Sequence, residues 1–242
     1  MKKALISVLM LLALLPVLTS CGDTASEEPF SAAFTIRPEQ EPTEVYFDVT
    51  YTGETQQIRS DALDADALRA LFAQSLFGAE GEAAVRWASP VRYALAGAFT
   101  PEDAQTLSAV AASLTRVSGF PSIRETAAAN DAALLVRFDE TEQVQFLPET
   151  DEKGRILSVQ ITIPADWDAP QRAAALYRYA MRACGFFYTV QTPLDTVLSA
   201  DMPADMLTDA DYILLEALYG SIEPGDAKTV CLEQFDQTLS AE

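Results

Sequence analysis

The chain has 242 residues, with 16 Lys and Arg against 36 Asp and Glu, a formal net charge of −20 and no histidine. Such a surface repels polyanions, which excludes nucleic acid as a partner and gives anionic headgroups nothing to attract. Without imidazole, histidine-ligated metalloenzymes and serine or cysteine triads with a histidine base are also excluded.

Lys2 and Lys3 precede an apolar run from Ala4 to Leu18, the charged and apolar regions of an export signal. The run falls short of the roughly 20 residues a permanent bilayer-spanning helix needs. Its end, Leu18-Thr19-Ser20-Cys21, resembles a lipobox, which implies cleavage before Cys21 and a lipid on its thiol. Two or three acyl chains hold a protein on a membrane, since each buried methylene contributes roughly 0.8 kcal/mol. Loss of residues 1–20 removes Lys2, Lys3 and no acid, so the net charge moves from −20 to −22. The expected product is exported and lipid-anchored, facing outside the cytoplasm, with residues 21–30 as a polar tether.

Val45 to Tyr51 alternates apolar and polar residues and turns at Thr52-Gly53-Glu54 into Thr55 to Ile58, which predicts a hairpin. Leu68, Leu71, Phe72 and Leu76 recur at helical spacing over 64–77, and Gly78 stops the run. A strand is expected after Pro90, and Thr100-Pro101-Glu102-Asp103 then opens a helix to about Ser118. Strands are expected over 130–138, 144–147 and 156–163. Asp168 with Gln171 forms a capping box for a helix ended by Gly185. After a loop over 187–207, Thr208 to Asp211 caps a last helix through Tyr219.

Residues 86–138 (RWASPVRYALAG, a helix, a glycine-proline break, then AANDAALLVRF) and 208–225 (TDADYILLEALYGSIEPG) resemble the opening and closing segments of the zincin-like bacterial lipoproteins grouped as domain of unknown function 2927, and more distantly the metzincin zinc peptidases. The resemblance implies an α+β fold: a zincin-like mixed sheet with packed helices over 81–228. A small N-terminal hairpin and helix extension would occupy 31–80, and a C-terminal tail 229–242. It also implies that the helix before Gly185 lies under a cleft beside the strand over 156–163.

In metzincins zinc sits on a helix reading HExxHxxGxxH, because residues four apart share one face. With the motif's glycine at Gly185, its ligand positions become Arg178, Arg182 and Tyr188, and its glutamate position becomes Tyr179. Guanidinium groups repel a dication, so no metal and no cofactor are expected. The implied function is a non-catalytic peptide- or protein-binding or assembly domain in the cell envelope. Two alternatives are a hydrolase with a re-purposed carboxylate or arginine cleft and an envelope spacer without a ligand.

Arg178 and Arg182, one turn apart, suit a carboxylate clamp that Tyr188 would join. The preferred, plainer reading puts Arg172, Arg178 and Arg182 on a solvent face, with Ala175, Leu176, Tyr179 and Met181 in the core. Cys184 and Cys231 fit a disulfide or two buried free thiols equally well. Asp61-Asp64-Asp66 and Asp209-Asp211 suggest calcium only faintly, because both lie at helix starts. Asp166 and Asp168 beside Trp167 suit a capping role better than a glycosidase pair.

Overall fold

The computed structural model describes residues 63–241. The expected hairpin over 45–58, the tether and Cys21 lie outside the described residues. Among the described residues, no helix is long and apolar enough to cross a membrane.

The fold is α+β, as expected, and the described residues form five α-helices and one mixed five-stranded sheet. Helix α1 (Ala65–Phe77) starts at Asp64, whose carboxylate accepts from the N–H groups of Asp66 (2.9 Å) and Ala67 (3.2 Å). Strand β1 (Val91–Gly97) leads into α2 (Pro101–Arg116), which opens at the expected Thr100 cap, where Thr100 and Asp103 also form a capping box. Strands β2 (Ile123–Glu125), β3 (Leu134–Asp139), β4 (Gln145–Thr150) and β5 (Ile156–Pro164) follow. Then come α3 (Ala169–Ala183), α4 (Asp209–Gly220) and α5 (Lys228–Ala241).

The sheet order is β2-β1-β3-β5-β4, parallel throughout except for β4, which runs antiparallel to β5 along one edge. Side chains alternate between faces along each strand, so residues in register share a face. Leu95, Val136, Ile161 and Phe146 form one such row across four strands. Tyr93, Leu134 and Val159 form the next on the same face. This face is the one the helices cover: the Arg172 guanidinium of α3 lies over the Phe138 ring, 5.4 Å from its centroid, and bridges to Asp103 of α2 at 3.4 Å.

Two segments depart from the sequence reading. Residues 123–125 form a strand too short to show periodicity, held by parallel pairing to β1. Residues 229–242 were expected as a tail, yet α5 spans most of them and packs on α1. Phe235 is fully buried, with its ring stacked on Phe72 at 4.4 Å between centroids. The helix of the expected N-terminal extension therefore shares one core with the residues that follow it, from Leu68 to Phe235.

The cysteines take the second of the two readings left open by the sequence. Cys184 and Cys231 are both free and buried. Each thiol is turned to its own local backbone, Cys184 Sγ to the Ala180 carbonyl at 3.3 Å and Cys231 Sγ to the Asp226 carbonyl at 3.5 Å. Burial pushes the Cys184 thiol far above its usual range and the Cys231 thiol up to about 11, so neither is a reactive thiolate.

If α5 belongs to the core, Phe235→Ala leaves a cavity against Phe72 and lowers stability by roughly 3–5 kcal/mol. A urea titration reads this as a fall in midpoint, whereas a tail residue would leave the midpoint unmoved.

Candidate functional site

The motif positions lie on α3 and the turn after it. Gly185 ends the helix with φ +123°, where an added Cβ would collide with the Val85 carbonyl oxygen. The same turn is pinned from α4, because the buried Tyr219 hydroxyl donates to the Cys184 carbonyl at 2.7 Å. Arg86 in turn holds the end of α4, donating to the carbonyls of Leu218 (3.3 Å) and Tyr219 (3.2 Å).

Arg182 projects from the last turn of α3 toward β4. Its Nε and Nη2 both donate to the Phe187 carbonyl, at 2.9 and 2.6 Å. The guanidinium lies 4.4 Å from the Phe146 ring centroid and 4.9 Å from that of Tyr179. Phe146 also meets Tyr179 at 5.9 Å and Phe187 at 5.8 Å between centroids. A half-buried cation thus fills the space between α3 and the edge strand. Desolvation draws its pKa below the usual arginine value, with Tyr179 acting in the opposite direction.

Arg178 serves a different partner: its Nη2 donates to the Ser199 carbonyl at 2.9 Å. Tyr188 goes elsewhere again. Its N–H donates to the Ser75 carbonyl at 3.1 Å, and its ring covers Gly78 at the end of α1. Tyr179 and Arg182 are therefore brought together, with Gly185 shaping the turn beside them, while Arg178 and Tyr188 point away to other partners. The three ligand positions of the metzincin motif do not converge.

These placements correct the solvent-face reading of α3. Arg172 is buried, and Arg178 and Arg182 are partly buried with hydrogen bonds to backbone carbonyls. Each guanidinium is engaged inside the protein, so the shared carboxylate clamp is not assembled. The donor set does not suit zinc either, because two of its members are fixed cations. Among the described residues, no three His, Cys, Asp or Glu side chains group closely enough to hold a metal ion. Asp168 is the N-cap of α3, with its carboxylate accepting from the Gln171 N–H at 2.9 Å, while Asp166 stays exposed.

Asp211 is a residue whose weight the sequence did not reveal. It completes the expected cap of α4, accepting from the Thr208 N–H at 2.9 Å. The same buried carboxylate also accepts from the Thr196 hydroxyl at 2.5 Å and the Val197 N–H at 3.2 Å. It thereby ties the loop after α3 to α4, and Arg178 ties the same loop to α3 through Ser199. The acidic pair at Asp209-Asp211 is explained by capping and loop anchoring.

Comparison of the chain with protein-family models and with curated proteins finds no match. The functional reading rests accordingly on the residues and their geometry.

Burial outweighs these hydrogen bonds and pushes the Asp211 carboxyl up from 3.8 to about 6. A raised carboxyl pKa means that the folded protein holds this proton more tightly than the unfolded chain does. Asp211→Ala strands the Thr196, Val197 and Thr208 donors and lowers stability by roughly 1–3 kcal/mol for each one left unsatisfied. The gap between wild type and variant is widest below pH 3.8 and narrows as the pH rises through about 6. Urea midpoints across that range check both the loss and its slope.

Proposed function

We propose that the chain is an exported lipoprotein of the cell envelope, held to the membrane by acyl chains on Cys21 and facing outside the cytoplasm. Its folded part is a zincin-like scaffold that binds an extended peptide or protein segment without catalysing its cleavage. Three features support the scaffold. A helix with a capping box follows the strand over 156–164, a glycine turn ends that helix, and an antiparallel strand runs along the sheet edge beside it. Zincin peptidases take an extended peptide on such an edge, a mode that relies on backbone hydrogen bonds and survives loss of a metal.

The observation that carries the non-catalytic part is Arg182. The guanidinium lies at a ligand position of the motif, bonded to the Phe187 carbonyl between two aromatic rings. A permanent cation there leaves no room in the electrostatics for a dication, and Tyr179 supplies no carboxylate to activate water. A re-purposed arginine cleft gains little support, since Arg178 and Arg182 already donate to protein carbonyls.

The test is to incubate the mature chain with excess zinc, remove free metal, and measure bound zinc and peptidase turnover. The expected result is less than one tightly held zinc per chain and no turnover sensitive to a chelator. Stoichiometric zinc with chelator-sensitive proteolysis contradicts the proposal.

A further inference from the structure

Among the described residues β4 has an open edge, and what it offers is unusual. Val159 of β5 gives its N–H to the Ala133 carbonyl at 2.8 Å, on the β3 side. Its antiparallel partner in β4 is Pro148, so that pair is not a hydrogen-bonded one, and the Pro148 backbone faces away from β5. Phe146, two residues earlier, faces the same way. Pro148 has no N–H to give. Up to the irregularity at Glu149/Thr150, the free edge therefore presents the carbonyls of Phe146 and Pro148 against the lone N–H of Phe146. It accepts more than it donates.

The charge around this edge has the same sense. From Asp139 to Glu152 the chain carries six acids and no base. Asp139 and Asp151 are committed to ion pairs with Arg137 and Arg155. At the start of β4, Glu140, Thr141, Glu142, Ala165 and Asp166 line an open depression. Glu140, Glu142 and Asp166 are exposed, and among the described residues none of the three is in an ion pair. Leu147, 58% exposed, adds an apolar contact on the sheet face away from α3.

We infer that the β4 edge takes an extended segment of a basic partner protein, which gives backbone N–H groups to Phe146 and Pro148 and sets lysine or arginine side chains among Glu140, Glu142 and Asp166. The inference rests on the edge-binding reading above and adds the charge of the partner. A second copy of this chain does not fit, because it would bring the same acids and the same missing proline donor to the interface.

The experiment uses the mature chain with Cys21→Ser and three fluorescent nine-residue probes. One alternates lysine and valine, one alternates glutamate and valine, and the third is the lysine peptide N-methylated throughout, which keeps its charge but has no backbone N–H. Fluorescence polarisation should show the lysine peptide binding at least tenfold more tightly than the glutamate peptide, more weakly in high salt, and not at all when N-methylated. The exposed double variant Glu140→Gln, Glu142→Gln should weaken the lysine peptide severalfold and leave the urea midpoint unchanged. Equal binding of the lysine and glutamate peptides, both lost on N-methylation, overturns the charge preference and leaves the edge reading standing. Binding indifferent to N-methylation, or no binding by either peptide, overturns both.

Discussion

The half-buried guanidinium of Arg182 joins the end of α3 and the turn after it to the edge strand β4. It leaves α3, lies against the Phe146 ring of β4, and donates twice to the Phe187 carbonyl beyond the Gly185 turn. A planar guanidinium can aim two N–H groups of one rigid fork at a single carbonyl while its face lies against an aromatic ring, a geometry that the compact ammonium of a lysine does not reproduce. Phe146 is in place for this because it continues the row of Leu95, Val136 and Ile161 across the sheet to its edge. The edge strand, the helix beneath it and the turn after that helix are thereby fixed together.

Around that contact the protein is held by polar groups acting at helix ends. Arg86 holds the end of α4, Tyr219 holds the end of α3, and Asp211 starts α4 while fastening Thr196 and Val197 of the loop before it. Asp103 caps α2 and faces Arg172 of α3. Asp103 and Asp211 each serve a local cap and a contact to a distant segment together. The removal of one partner is costly in such places, because the other charge is left buried without compensation.

Much of the fold was legible because its helix starts are written in side-chain chemistry. Thr100 with Asp103, Asp168 with Gln171 and Thr208 with Asp211 each mark a start that the structure bears out. The strand β2 was not legible, since three residues carry no periodicity. Nor was α5: its polar sequence has no evident cap, and Phe235 gains its meaning only from Phe72, far away in the chain. The arginines of α3 were misread for the same reason. Helical spacing assigns Arg172, Arg178 and Arg182 to one polar stripe, while Asp103, Ser199 and Phe146, which cover them, come from other segments. Local pattern names which side chains share a face, and only the tertiary fold decides whether that face meets water.

The claim that Arg182 is a fixed, desolvated cation under the edge strand is tested most directly by nuclear magnetic resonance of its side-chain Nε–H. The account predicts a persistent Nε–H signal near neutral pH, displaced by the rings of Phe146 and Tyr179 and absent from Arg182→Lys. An Arg182 Nε–H that exchanges as fast as an exposed arginine's, at an ordinary chemical shift, would contradict it.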